Sequence, residues 1–157
     1  KFCTMATVGL DRVARLRTVR LRSVTEDMEL TFFTDKRSKK IIHIKENKNV
    51  SLLFYHPEKL LQIRIEGIAL IVKDKSLLNK YWQKVQPEQR KDYTTSLAPG
   101  SKLVDPDAVE YLHDEEHFCA LAIQPFKFEY LQLKRPNHIR VRYSLESYGW
   151  ESEYLVP

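Results

Sequence analysis

The residues best suited to chemistry lie between Arg15 and Lys40, where arginines at positions 15, 17, 20 and 22 precede a Ser38-Lys39-Lys40 triplet. The arginines are interleaved with Leu16, Val19 and Leu21, a pattern too apolar for a disordered basic tail and too charged for a core strand. A basic strand with an anion beside it satisfies both constraints. Downstream, the β-branched and aromatic run from Met28 to Thr34 predicts a second strand that stops at Asp35, and Ser38 stands at a helix N-cap position ahead of Ile41, Ile42 and Ile44. Lys39 and Lys40 then fall in the first helical turn, where each exposed cation opposes the helix dipole by about 0.3–1 kcal/mol. A bound anion reverses that sign. First-turn N–H groups, the Ser38 hydroxyl, two ammonium groups and the arginines of the neighbouring strand together make a phosphate cradle. A solvated basic turn is the bland alternative.

The elements that must position these groups follow from period and turn chemistry. Phe2 to Val8 is a predicted strand, joined by Gly9-Leu10-Asp11 to the basic strand. The helix from Ser38 to Glu46 ends at Asn47-Lys48-Asn49; Val50 to Tyr55 is an apolar strand, and Leu60 to Val72 a long one in which Gly67 marks a bulge or a close approach. Leu77, Leu78, Tyr81, Trp82 and Val85 recur at helical spacing until Pro87. Gln89 to Ser101 is expected as a loop and Asp107 to Leu112 as a short helix. Phe118 to Ile123, Phe126 to Leu133, Ile139 to Tyr143 and Trp150 to Val156 are expected as four further strands. Strands thus follow strands without regular crossover helices, which predicts a mainly β (α+β) chain: an antiparallel barrel with two or three short helices.

Bulk properties bound the problem without choosing among functions. The 157 residues, 43% hydrophobic and 30% charged, suit one globular domain over 1–157. A net charge of +5 and a pI near 9.1 admit nucleic acid, anionic lipid and phosphorylated ligands alike. Cys3 and Cys119 are too few for a disulfide framework and lack metal spacing, so a reducing, cytoplasmic setting is expected. No apolar run approaches the ~20 residues of a membrane span. The chain begins without Met and almost directly on a strand, so a segment upstream of Lys1 is expected.

Ordered motifs make the expectation specific. Arg17-Thr18-Val19-Arg20-Leu21-Arg22, Phe32-Phe33-Thr34-Asp35, Ser38-Lys39-Lys40 and Gln62 ahead of Ile63-Arg64-Ile65-Glu66-Gly67 resemble, in sequence and separation, the R-x-V-L-L-K, F-Y-T-N, S-R-K and Q-V/I-R-V-x-G motifs of the pyridoxamine 5′-phosphate oxidase family. The similarity runs from Lys1 to about Trp82 and returns at Leu155-Val156-Pro157. It implies an FMN-binding split barrel, a homodimer with FMN at the subunit interface, and a small-molecule substrate. Residue by residue, it implies FMN contacts from Arg17, Thr18, Val19, Arg22, Phe33, Thr34, Ser38, Lys39, Lys40, Gln62 and Arg140. It also implies substrate contacts from Arg22, Tyr81 and His138, with Ser96 to Gly100 and His138 to Arg140 arriving from the second subunit. Arg17 and Arg22 are five residues apart, which puts them on opposite faces of a regular strand, so joint contact requires a bulge or a curved ligand. Leu52, Phe54, Tyr81 and Trp82 are candidate apolar surface for the dimer, the first two equally at home in the core.

The substrate end of the resemblance is weaker. One and two helical turns after Tyr81, the family's arginine and serine become Val85 and Gln89, and its R-x-H-D-R becomes Pro136-Asn137-His138-Ile139-Arg140. These losses predict a family relative that keeps FMN and has exchanged substrate, with a genuine pyridoxamine-phosphate oxidase as the alternative. Two further classes compete. His113-Asp114-Glu115-Glu116-His117 matches the H-x-x-E-H zinc motif, which needs a helix, whereas a polar connection directly before the strand at Phe118 is expected; no metal is expected. A nucleic-acid-binding barrel would use the arginine strand as a phosphate track and Phe32, Phe33 and Tyr55 as stacking surfaces, but leaves Gln62 and Ser38-Lys39-Lys40 without a role.

Overall fold

Alternating burial along consecutive strands builds the architecture. The computed structural model describes residues 1–157, with strands β1 (Phe2–Val8), β2 (Ala14–Val24), β3 (Leu30–Asp35), β4 (Asn49–His56), β5 (Leu61–Ile71), β6 (Phe118–Gln132), β7 (Ile139–Glu146) and β8 (Gly149–Tyr154). All neighbours pair antiparallel in the order β3-β2-β1-β4-β5-β6-β7-β8, and β3 also pairs with β6. That last pairing closes the first six strands of the row into a barrel. Met5, Phe32, Leu52, Ile65, Leu121 and Ile123 fill it, and Ile41 and Ile44 of helix α1 (Lys39–Glu46) join the same core. A hydrogen bond of 2.9 Å between Thr7 Oγ1 and His43 Nδ1 ties α1 to β1. No helix is long and apolar enough to cross a membrane.

β6 does the work of closure. Its first half, Phe118 to Ile123, pairs with β3, and its second, Lys127 to Gln132, pairs with β7, while β5 runs beside both. Pro125 sits where β6 changes partners, and the β5–β6 register shifts between Glu66 and Gly67 at that point. Proline is tolerated in a strand at such an irregularity. The two expected strands 118–123 and 126–133 are therefore one.

Other boundaries also moved. Met28 has φ of 62° and its N–H bonds Thr25 O, so it belongs to the turn and β3 starts at Leu30. Helix α2 (Lys75–Gln83) is capped by the Asp74 carboxylate, which accepts from Leu77 N at 3.1 Å. Pro87 ends nothing further: it opens α3 (Pro87–Arg90), as proline at the first helical position does. The expected helix 107–112 is a single turn at Pro106–Ala108, because Tyr111 and Leu112 pair instead with Thr95 and Thr94. Residues 113–117 are not helical, so His113 and His117 share no helix face, and His117 is buried with neither ring nitrogen hydrogen-bonded. Phe32 is 1% exposed, which removes it from any base-stacking surface. Leu52 is likewise core and Phe54 packs against it. Both cysteines are buried, which pushes each thiol up to about 11.

Candidate functional site

Three groups of side chains form around β2 and its neighbours. The first lies where α1 meets the barrel. β2 alternates Arg15, Arg17, Val19 and Leu21 on its half-buried side with Leu16, Thr18 and Arg20 on its exposed side, and Arg17 stands opposite Met5, donating Nη1 to Met5 O at 3.2 Å. From α1, Lys40 Nζ donates to Thr34 Oγ1 at 2.8 Å and to Ser38 Oγ at 3.2 Å, the two hydroxyls being 3.3 Å apart. Burial, and after it the positive charge of Arg17, hold the Lys40 ammonium below its ordinary range; burial also lowers Arg17. No carboxylate pairs with Arg17, Lys40, Arg20 or Arg22. Asp35 is adjacent, but its carboxylate is held by Arg37. Two neighbouring, partly desolvated cations without a counter-ion are costly, and a bound dianion removes the cost. The donor set therefore fits a phosphate group.

Ser38 occupies the N-cap position with extended φ/ψ, but its side chain makes no capping bond, because the hydroxyl is turned to Lys40 and Thr34. Lys39 is exposed and its ammonium stays outside this cluster. Val19 packs on the core and Thr18 faces out, so neither side chain joins the cradle.

The second group is created by a bulge. The β2–β3 register shifts between Leu21 and Ser23, and the extra residue is Arg22. Its guanidinium carbon lies 5.0 Å from the centre of the Phe33 ring, Nη1 reaches Gln89 Oε1 at 3.5 Å, and Nε is buried without a partner. Phe33 packs on Tyr81 and Phe118 with ring centres 5.3 and 5.0 Å apart, and Trp82 and Tyr93 continue the cluster. Tyr81 and Trp82 are thus engaged within the chain rather than surplus dimer surface; large apolar residues left exposed include Leu16, Phe2 and Tyr55 on the outer faces of β2, β1 and β4. Burial raises the Tyr93 phenol, an effect partly offset by Arg22.

The third group lies on the outer face. Gln62 is half-buried between its strand partners Tyr55 and Leu131. Beside it the buried Glu129 carboxylate accepts from Arg64 Nη2 at 2.7 Å and from Arg140 Nη2 at 2.8 Å. Arg140 is thus paired within the chain. His138 is exposed, and its Nδ1 accepts from Lys134 N at 3.0 Å.

Comparison with known proteins gives the family. Residues 1–73 match the family model of the pyridoxamine 5′-phosphate oxidase FMN-binding domain. Over 166 residues the chain is 30% identical to the pyridoxine/pyridoxamine 5′-phosphate oxidase of Chromobacterium violaceum, covering 98% of this chain and 77% of that protein. The chain belongs to the pyridoxamine 5′-phosphate oxidase family. Its FMN-binding domain, residues 1–73, carries Arg17, Thr34, Ser38, Lys40 and Gln62. A second family oxidase, from Thermosynechococcus vestitus, is 29% identical, over 98% of this chain and 78% of its own. Two solved structures share the fold. One is an FMN-binding protein related to pyridoxamine 5′-phosphate oxidase from Nostoc punctiforme, with TM-score 0.84 and 24% identity over 99% of this chain and 88% of that one. The other is PhzG of Burkholderia lata in complex with tetrahydrophenazine-1-carboxylic acid, with TM-score 0.85 and 23% identity over 100% and 82%.

Gln89, set by the resemblance at the family's serine position, contacts Arg22. One contributor escaped the sequence: Arg37, whose Nε and Nη2 donate to Asp35 at 3.1 and 2.7 Å, Nη2 also to Thr95 O at 2.9 Å, and Nη1 to Ser96 O at 3.1 Å. It thereby fastens the turn carrying the cradle to the loop at 94–101. The Asp35-x-Arg37 spacing was a weak signal, because nothing local reveals the two carbonyls. Arg37→Ala leaves the buried Asp35 carboxylate without its cation and is expected to cost about 2–4 kcal/mol. Hydrogen exchange should then accelerate at Ser96 and Leu112 before it does in β1 or β5; uniform acceleration would show that the clamp is not local.

Proposed function

We propose that the chain binds FMN by its phosphate at Arg17, Lys40, Ser38 and Thr34, as a homodimer, and acts as an oxidoreductase whose substrate site has departed from that of the named oxidases. The observation carrying this reading is the neighbouring cations Arg17 and Lys40, neither with a carboxylate partner, with Lys40 held by the Thr34 and Ser38 hydroxyls inside the FMN-binding domain. FMN, when bound, supplies two-electron transfer chemistry. The chain's own residues bind and orient: Arg17 and Lys40 neutralise the phosphate, Gln62 offers an amide from β5, and the aromatic wall around Phe33 excludes water. Gln62 and Arg140 sit on an outer face that also exposes Leu16 and Tyr55, which suits assembly with a second copy.

The substrate end supports divergence. Val85 is 2% exposed and offers no donor. Of the cations near that helix, Lys84 is exposed, and Arg90 is spent on Val85 O at 3.2 Å and Trp82 O at 3.5 Å and lies over the Trp82 ring. The 29–30% identity to named oxidases along nearly the whole chain favours the second reading, pyridoxamine-phosphate oxidation.

Purified protein should be yellow and sediment as a dimer; a colourless protein or a clean FMN-loaded monomer would sink the reading. With oxygen as acceptor, pyridoxal 5′-phosphate formation should run at least ~10²-fold below the kcat/KM of an efficient oxidase. Ordinary turnover would put the second reading first.

A further inference from the structure

Arg22 is the one cation presented to the aromatic wall that meets no charged or backbone partner in the chain. Its Nε is buried and unbonded, Nη1 makes one long contact to the neutral Gln89 amide, and its other polar neighbour is the neutral Tyr93 phenol. The guanidinium has five donors, and the protein answers them only with neutral side chains. Holding it this way costs desolvation that no protein group returns. Arg90 is consumed by backbone carbonyls, and Arg20 is exposed, where water screens it. The ligand that completes this corner therefore meets one buried-side positive charge.

A phosphate monoester carries about −1.5 to −2 near neutral pH, so it would enter with charge left uncompensated beside five packed rings. A carboxylate carries one charge, and its two oxygens match the Nη1–Nη2 fork. What lies next to that fork is flat: the guanidinium stacks on Phe33, and Tyr81 lies 5.3 Å from Phe33 between ring centres. We propose that the Arg22–Phe33–Gln89 corner takes a carboxylate borne on a planar aromatic ring, in preference to a phosphate monoester. This rests on reading the chain as an FMN-dependent enzyme, for it makes the corner the substrate pocket.

The test uses FMN-loaded protein and follows the flavin absorbance while titrating 2-naphthoate, naphthalene-2-carboxamide and pyridoxal 5′-phosphate. The carboxylate should bind about 10- to 100-fold more tightly than the carboxamide, and more tightly than the phosphate ester. Arg22→Gln should bring the carboxylate-to-carboxamide ratio close to one, with an unchanged circular dichroism spectrum showing that the barrel is intact. Gln89→Arg, which adds a second guanidinium at the same corner, should shift preference toward pyridoxal 5′-phosphate. Tighter binding of the phosphate ester by the unaltered protein, or a ratio unmoved by Arg22→Gln, would overturn the assignment. Protein that holds no FMN would instead overturn the reading beneath it.

Discussion

Replacing Lys40 by methionine should yield a protein that is more heat-stable without FMN and binds FMN about 10²-fold more weakly. The two effects have one cause. In the folded chain the Lys40 ammonium is held below its usual pKa by burial and by Arg17, so at neutral pH folding desolvates a charge at a cost. Methionine is similar in volume and needs no counter-ion, and exchanging a buried ion for a packed apolar group is commonly neutral or stabilising. On the proposed function, FMN phosphate makes the ammonium favourable, through charge-assisted contacts of roughly 1.5–3 kcal/mol each, so the variant forfeits that gain. The pH dependence follows in sign. Between the lowered folded pKa and the ordinary value of 10.5, the unfolded chain binds more protons than the folded one, so the wild type gains stability as pH rises. The stability gap between Lys40→Met and wild type is therefore full below the folded pKa and narrows above it. Thermal unfolding of both apo-proteins across alkaline pH, with FMN titrations at low and high salt, checks this; lower stability with undiminished FMN affinity would make Lys40 a structural residue. Arg17→Ala should weaken FMN in the same manner, and less so at high salt.

Gly67→Ala should be the most damaging single methyl group that can be added to the barrel. A Cβ there would lie 2.7 Å from Gln124 O and 3.0 Å from Ile123 Cγ2. The first neighbour is backbone, at the point where β6 bends past Pro125 to exchange β3 for β7, so relief requires moving the strand that closes the ring. A cost of about 2–4 kcal/mol is expected, a large fraction of the ~5–15 kcal/mol that holds a typical domain together. Chemical denaturation should show a lower midpoint with an unchanged slope. Wild-type stability would mean that β5 and β6 separate more easily here than their packing implies.

These two residues also show what the sequence makes legible. Lys40 stood out because its sign is wrong for a first helical turn, and Gly67 because a glycine interrupts an otherwise alternating strand; both are local departures from a local rule. β1 and α1 were visible for the same reason, their period being written in their own residues. The 118–132 segment was misjudged because Pro125 ordinarily ends a strand, and what keeps it inside one is a change of partners, from β3 far upstream to β7 just downstream. Ser38 was expected to cap α1, but its hydroxyl had a competing donor in Lys40. Arg37 was invisible because its value lies in carbonyls supplied by a distant loop. The apolar spacing of Tyr81 and Trp82 fitted an interface and a private aromatic cluster equally well; only the positions of Phe33, Phe118 and Tyr93 decide between them.

The β3–β6 pairing has a consequence for how molecules of this protein meet in concentrated solution. Once those six strands form a ring, each has hydrogen-bonding neighbours on both sides, and β7 is covered by β8. Two rows of backbone remain open to a foreign strand: β8, and the Ala14–Arg20 stretch of β2, which is paired with β1 alone. β8 carries the exposed Glu151, and the β2 stretch carries Arg17 and Arg20, so two like edges approaching one another bring like charges together. The ring thus confines the risk of fibre-like stacking to two short edges, each guarded by charge.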